Sequence, residues 1–260
     1  RSVIPEDGPG WRVFSADAGS LAWAAAARAS AKTAIANPEN AHWLRHGGTW
    51  FAGVNLLDTA PTGAVGKVPL AGPAIEALHA AGLMPMAWDR AQVSVIYPGY
   101  PRRDPGESHA AARYRRTRDA AHVDGLLPIG PDRRRMLREP HGFVLGLPLT
   151  DASEGASPLV VWEGSHRIMR HAYAPLLKPH PPERWPEIDL TAAYHAARRT
   201  CFDTCPRRIV TAPPGGAYLI HRLCLHGVAP WQPGAIADPA GRMIAYFRPE
   251  IALGQWIAEG

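Results

Sequence analysis

The stretch 213-PPGGAYLIHRLCLHGVAP-230 contains two short apolar runs that follow a pair of glycines. Short apolar runs bounded by glycine and proline are typical of β-strands, whereas a helix of comparable burial needs a longer periodic pattern. The stretch therefore predicts two strands in close succession, and His226 follows directly on the apolar part of the second run.

Similar runs occur from Gln92 onward, separated by segments with the composition of turns. The predicted strands are QVSVIY (92–97), HGFVLGLPLT (141–150), SPLVVW (157–162), RRIVTA (207–212), GGAYLIH (215–221), CLHGVAP (224–230) and GRMIAYFR (241–248). Regular strand–helix alternation is missing, which argues against a parallel α/β fold, and no glycine-rich phosphate loop is present. The pattern indicates a mainly β fold, a jelly-roll sandwich or barrel with helices packed outside it.

Helices are predicted in two parts of the chain. Residues 1–90 are expected to be largely helical, with one helix from Leu21 to Ala36 and a second within GPAIEALHAAG (72–82). A helical insertion is expected near 165–200, within a jelly-roll core that covers 91–250. No internal repeat or low-complexity linker interrupts the chain, so residues 1–260 are interpreted as one domain.

Composition narrows the class of protein. The 25 glycines and 27 prolines make up a fifth of the 260 residues, which favours many turns and short elements. The net charge of +5 comes without a nucleic-acid motif, so binding of DNA or RNA is not expected. The run LAWAAAARASAKTAIA is interrupted by Arg28 and Lys32, so it predicts a helix and not a membrane span or a signal peptide. Three cysteines do not suffice for a disulfide framework, and we expect a reducing, cytoplasmic location.

The candidate chemistry lies in RDAAHVDGLLP (118–128) together with the distal His-Gly pair. In an extended segment His122 and Asp124 project to the same side, which offers a metal one imidazole and one carboxylate. Pairing of distant strands can add His226 as a third ligand. Two histidines and one carboxylate that leave coordination positions open are the pattern of non-haem Fe(II) oxygenases.

Other histidines have ordinary interpretations. His166 is expected to cap the helix that follows Gly164, and His221 is expected to face away from His226, because five residues separate them. His42 and His46 have helical spacing but lack the glutamate of a zinc-protease motif.

Four segments together resemble a known family. AAHVDG (120–125), ASPLVVWEGSHR (156–167), PPGGAYLIHRLCLHGVAP (213–230) and GRMIAYFRPE (241–250) occur in the order found in the phytanoyl-CoA dioxygenase family of Fe(II)/2-oxoglutarate oxygenases. The resemblance extends over roughly 92–248. It implies a double-stranded β-helix of the jelly-roll, cupin-like type and oxidation of a small molecule, with O2 consumed and 2-oxoglutarate converted to succinate and CO2.

The resemblance also implies roles for individual residues. His122, Asp124 and His226 correspond to the iron ligands, and Arg242 corresponds to the arginine that binds the distal carboxylate of 2-oxoglutarate. A planar guanidinium suits this task because it makes paired, charge-assisted bonds to a carboxylate. The loop after His226 is longer than is usual in the family, so Arg248, on the same predicted strand face, is the second candidate. An aspartate at 124 favours hydroxylation over halogenation.

Two matters stay open on the sequence alone. The arginines before the His-x-Asp pair, among them Arg115 and Arg118, either line the mouth of a pocket and favour an anionic substrate such as a CoA thioester or a carboxylate, or form a solvated surface. The same three ligands would also serve a metal- or ligand-binding module without turnover, or a zinc hydrolase that needs a nearby general base.

Overall fold

The computed structural model describes residues 3–259 and contains mostly antiparallel sheet with several helices. The strands are β1 Trp11–Phe14, β2 Leu44–Arg45, β3 Trp50–Gly53, β4 Gln92–Ile96, β5 Leu126–Ile129, β6 Arg134–Leu137, β7 Phe143–Pro148, β8 Leu159–Trp162, β9 Arg207–Val210, β10 Ala217–His221, β11 His226–Val228 and β12 Arg242–Phe247. The α-helices are α1 Ala18–Ala36, α2 Pro73–Ala80, α3 His109–Thr117, α4 Ser165–Leu177 and α5 Thr191–Thr204. Short 3-10 helices cover Pro38–Trp43, Pro182–Glu187 and Leu253–Gln255.

Ten of the strands form two antiparallel sheets. The larger sheet has the order β1-β10-β7-β12-β4-β3-β2, and the smaller has the order β11-β8-β9. Strands β5 and β6 form a separate hairpin. No strand pairing within residues 3–259 joins the two main sheets, so the predicted barrel is not closed.

The faces of β12 show how the layers pack. Met243, Ala245 and Phe247 lie in a core shared with α1 and α2, whereas Ile244 lies in a second core with residues of the smaller sheet. Because side chains alternate along a strand, the even positions of β12 face the space between the two sheets. Arg242 and Tyr246 therefore face that space too.

Two features of sequence support this arrangement. Asp17 caps α1 and forms a capping box with Ser20, and the small side chains of the helix let it lie close to the sheet, with Ala27 and Ala31 fully buried. In β7, Gly146 lies against the ring of Tyr218 on β10, where a Cβ atom would overlap the ring.

Seven strands and the main helices lie where the sequence predicts them, and the N-terminal third contains three further strands. Residues 1–90 were expected to be largely helical, and within the described part of that range β1, β2 and β3 belong to the larger sheet. These strands have two to four residues each, and β1 and β3 pair with the distant strands β10 and β4, so the local pattern gives little signal. The sequence prediction also missed the hairpin β5–β6 and α3. None of the helices among residues 3–259 combines the length and apolar character needed to cross a bilayer.

Candidate metal centre

Two short backbone segments carry the three predicted ligands. The His122 amide donates to the His226 carbonyl at 2.8 Å, and the His226 amide donates to the His122 carbonyl at 3.1 Å. This antiparallel bridge adds His122 to the smaller sheet, next to β11 and on the side away from β8. The bridge brings together residues 104 positions apart in the chain.

Gly227 is the residue that permits this pairing. A Cβ atom at this position would overlap the Asp119 carbonyl oxygen and press on the backbone of Ala121. That carbonyl accepts a hydrogen bond from the Val228 amide at 2.8 Å. The close backbone approach therefore explains why residue 227 is a glycine, independently of any metal.

The three side chains converge at one point. His122, Asp124 and His226 each present a ligand atom, and these atoms all lie within 4.8 Å of one another. His122 Nε2 lies 3.0 Å and His226 Nε2 lies 3.8 Å from Asp124 Oδ1. Adjacent ligands bound at about 2.1 Å and at right angles are about 3 Å apart, so the group is close to the size of a coordination site.

The other ring nitrogens fix the tautomers. His122 Nδ1 lies 3.0 Å from the Ala120 carbonyl oxygen and His226 Nδ1 lies 2.8 Å from the Cys224 carbonyl oxygen. Each Nδ1 therefore donates its proton to the backbone, and the lone pair of each Nε2 is left for another partner. Two imidazole lone pairs and a carboxylate oxygen at this spacing repel unless a proton or a cation lies between them, so the donor set fits a divalent metal ion.

The pKa values follow from the same contacts. Without a cation, burial alone would raise the pKa of the Asp124 carboxyl, but a hydrogen bond from the protonated form of His122 and the charges of His226, His122 and Arg248 hold it well below its usual range. Burial opposes a charge on His122, and the hydrogen bond and charge of Asp124 nevertheless raise its pKa. Burial lowers the pKa of His226. A buried carboxylate that stays ionised is what a cation site requires.

His122, Asp124 and His226 all line a cavity of about 500 Å³. Aromatic, apolar and charged side chains line it, among them Trp50, Leu127, Glu139 and Tyr246. The Glu139 carboxylate lies 3.1 Å from Nε2 of His141. The volume is in the range of small-molecule sites.

The arginines predicted from the sequence lie in different places. Arg248 and Arg115 line the cavity. Arg248 Nη1 lies 3.6 Å from Asp124 Oδ2, and its Nη2 donates to Gln92 at 2.6 Å. The guanidinium of Arg118 instead lies over the ring of Phe202, 4.6 Å from the centroid, away from the cavity lining.

Arg242 lies deeper between the sheets. It is 5% exposed and lines a separate space of about 30 Å³ with Tyr218, and its Nη1 has no hydrogen-bond partner among the described residues. The Tyr218 hydroxyl lies 3.0 Å from that of Tyr246, which lines the metal cavity. The two tyrosines thus separate Arg242 from the three candidate ligands.

Two other histidine predictions need correction. Gly164, and not His166, is the N-cap of α4, and no side-chain hydrogen bond caps the helix. His166 Nε2 instead lies 2.9 Å from the Glu6 carbonyl oxygen, because residues of the N-terminal segment cross the start of the helix. His221 ends β10 and a turn separates it from β11, so strand alternation does not relate it to His226.

Sequence reasoning missed several cavity residues. Glu139 and Trp50 reach the cavity through tertiary pairing, and no local pattern marks either one. Tyr246 is predictable from the sequence, because it lies two positions before Arg248 and therefore on the same face of the predicted strand.

No family model and no curated protein matches the chain. Among solved structures, it is similar to the non-heme alpha ketoglutarate dependent epimerase SnoN from nogalamycin biosynthesis, with 14% identity, a TM-score of 0.46, and coverage of 92% of this chain and 76% of that one. It is also similar to the carbocyclase SnoK from the same biosynthesis, with 13% identity, a TM-score of 0.46, and coverage of 95% and 85%. EctD from S. alaskensis with bound Fe gives 16% identity, a TM-score of 0.41, and coverage of 93% and 72%. All three similarities are weak.

Proposed function

We propose that this protein is an Fe(II)- and 2-oxoglutarate-dependent oxygenase of the phytanoyl-CoA dioxygenase type that hydroxylates a small molecule. The observation that carries the proposal is the pair of Nδ1 hydrogen bonds to backbone carbonyls, which leaves two imidazole lone pairs beside Asp124 in one cavity. We assign the two sheets to a double-stranded β-helix, in which the facing layers hold such a site between them.

His122, Asp124 and His226 would hold the iron through two imidazole nitrogens and one carboxylate. Bound iron with 2-oxoglutarate supplies the activation of O2, with the substrate C–H bond converted to C–OH and 2-oxoglutarate to succinate and CO2. The protein contributes the ligand geometry and a cavity that shields the reaction from water.

Arg242 is our candidate for the residue that binds the far carboxylate of 2-oxoglutarate. Arg248 lies beside Asp124, too close to the metal to meet the distal end of a five-carbon diacid. Arg242 is six residues back on the same face of β12, and its buried Nη1 has no partner among residues 3–259. Arg248 would orient the second oxygen of Asp124.

This assignment requires Tyr246 to move. The space at Arg242 is about 30 Å³, enough for a water molecule but not for a carboxylate with its chain. Separation of the Tyr246 and Tyr218 hydroxyls would join that space to the metal cavity, and both hydroxyls could then donate to the bound carboxylate.

The test is an anaerobic titration of the protein with Fe(II) and 2-oxoglutarate, monitored by the weak visible charge-transfer band of the chelate. We expect a band in the wild type and in His79→Ala, an exposed control on α2. We expect no band in His122→Ala or Asp124→Ala. A wild type without the band, or variants that keep it, would overturn the proposal. Arg242→Gln should weaken 2-oxoglutarate at least tenfold more than it weakens Fe(II).

A zinc hydrolase is the second candidate, because Glu139 lies on the cavity wall where a general base would be needed. Its signature is hydrolysis of ester substrates by the Zn(II)-loaded protein that Glu139→Gln abolishes. Consumption of O2 and release of succinate by the iron-loaded protein would favour the oxygenase. A binding module would show neither.

A further inference from the structure

One wall of the metal cavity is an aromatic platform formed by Trp50. The His46 ring covers one face of the indole, with ring centroids 5.7 Å apart and an interplanar angle of 3°. The indole Nε1 donates to the Ser94 hydroxyl at 3.0 Å, which fixes the rotation of the ring. Trp50 and Ser94 line the cavity whereas His46 does not, so the indole surface open to the cavity is not the one covered by His46.

Contacts from behind hold this platform in place. The two Asp104 carboxylate oxygens accept hydrogen bonds from the amides of His46, at 3.0 Å, and Gly47, at 2.9 Å. Tyr100 packs edge-on against His46, with centroids 6.2 Å apart. The indole is therefore ordered before any ligand binds, so little conformational entropy is lost on binding.

The three arginines that line the cavity differ in whether their side chains have a partner. Arg115 makes two hydrogen bonds to Glu107, at 2.7 and 3.1 Å, and Arg248 is held by Gln92 and Asp124. Arg45, on the edge strand β2, lines the same cavity, and its side chain has no ion-pair or hydrogen-bond partner in the described part of the chain. It is the cation of the cavity that is left for a ligand.

We propose that the substrate is a planar, apolar ring compound that carries an acidic group, with the ring stacked on Trp50 and the acid paired with Arg45. The inference rests on the proposed function and specifies its substrate class. Trp43, also on the wall, and Leu127 extend the apolar surface beyond the indole. Offset stacking on an ordered indole selects flat rings over saturated ones of equal size, and an unpaired guanidinium selects a carboxylate or phosphate over a neutral group.

The test compares three probes by equilibrium dialysis against the protein loaded with Fe(II) and excess 2-oxoglutarate under argon. The probes are 2-naphthoate, 2-naphthamide, which has the ring without the charge, and decahydronaphthalene-2-carboxylate, which has the charge and the same carbon skeleton without a planar ring. We expect 2-naphthoate to bind most tightly. Trp50→Leu should weaken both naphthyl probes about tenfold. Arg45→Gln should weaken 2-naphthoate about threefold and leave 2-naphthamide unchanged, since an exposed pair contributes little.

Controls separate the possible failures. Arg116→Gln, exposed on α3 and outside the cavity lining, should bind all three probes as the wild type does. Trp50→Phe retains an aromatic ring and should keep the preference for naphthyl probes even if Trp50→Leu does not fold. Equal binding of 2-naphthoate and decahydronaphthalene-2-carboxylate, or wild-type binding by Trp50→Leu, would overturn the inference. If the chelate band is present but the protein shows no ring selectivity, only this inference fails. Dialysis is also repeated on the metal-free protein. If that protein shows ring selectivity and no chelate band can be formed, the proposed function is contradicted instead.

Discussion

The molecule contains two close pairs of histidines that look alike by distance. The ring centroids of His122 and His226 are 4.7 Å apart, and those of His166 and His221 are 4.8 Å apart. Each pair has a carboxylate within 4 Å of one of its Nε2 atoms. The first pair is our candidate metal centre, and the second joins the N-terminal segment to α4.

What distinguishes the pairs is where the ring nitrogens point. In the second pair, His221 Nδ1 accepts a hydrogen bond from the Leu223 amide at 3.0 Å, and its Nε2 lies 3.3 Å from the Arg170 guanidinium. His166 Nε2 donates to a backbone carbonyl, and Glu6 pairs with Arg170. Three of the four ring nitrogens therefore lie against polar groups of the protein, and the fourth, His166 Nδ1, has no hydrogen-bond partner among the described residues and lies against Gly10. A histidine pair therefore indicates a metal only when both free lone pairs face an ionised carboxylate in an open cavity.

The largest contrast between the pairs should be in metal affinity. We expect His226→Ala to weaken Fe(II) about 1,000-fold, more than the loss of an outer-shell partner would cost, because a ligand is removed. His221→Ala should leave the affinity within about twofold. Competition with a colorimetric chelator under argon measures both, and equal losses in the two variants would contradict the distinction.

The next prediction concerns the close backbone approach at the candidate metal centre. Gly227→Ala should lower the free energy of unfolding by about 3 kcal/mol, because the new Cβ overlaps the Asp119 carbonyl and forces the bridge between His122 and His226 apart. Gly106→Ala is the matched control, since nothing lies within 4 Å of a Cβ at that position. Urea denaturation compares the variants, and a stable Gly227→Ala protein with normal Fe(II) binding would show that the close approach is dispensable.

A third contrast is the response of the metal-free protein to acid. Burial lowers the pKa of His166 to about 4 and that of His221 well below its usual value, whereas the pKa of His122 is raised. Between about pH 6.5 and 4.5 the unfolded chain binds more protons than the folded chain at His166 and His221, so the free energy of unfolding falls as the pH falls. The share of His166 is about 2 kcal/mol over that window.

The urea midpoint should fall as the pH falls across this range, and His166→Gln should make the slope of midpoint against pH smaller. His122→Gln should steepen it, since a histidine whose pKa is raised stabilises the folded state at low pH and loses that contribution as the pH rises. An unchanged slope in both variants would mean that the titration lies elsewhere.

The difference between the two histidine pairs also shows what could be read from the sequence. The convergence of His122, Asp124 and His226 was predictable because an extended segment places His122 and Asp124 on one side and because the His-Gly at 226 resembles a motif of a known family. The pair of His166 and His221 was not, because it depends on a crossing of the N-terminal segment that no local pattern encodes. For the same reason the sequence prediction missed strands β1 to β3 and, with β3, the Trp50 wall of the cavity.

The smallest effect should come from the salt bridge that anchors the loop before His122. Arg207 on β9 makes two hydrogen bonds to Asp119, at 2.8 and 2.9 Å, and the Asp119 side chain is 6% exposed. Arg207→Gln should lower the free energy of unfolding by about 1 kcal/mol, since a buried carboxylate loses its partner.

The neighbouring Arg208 supplies the control for this effect. It pairs with Glu163 at 3.1 Å while its own side chain is 57% exposed, so Arg208→Gln should change stability by less than about 0.5 kcal/mol. Asp119 has a left-handed backbone conformation, with φ of 54°, and its carbonyl receives the Val228 amide. Release of its side chain should therefore also weaken Fe(II), by about threefold, through the position of His122. If Arg207→Gln destabilises the fold but leaves Fe(II) affinity unchanged, the bridge between His122 and His226 holds the ligands without help from the loop.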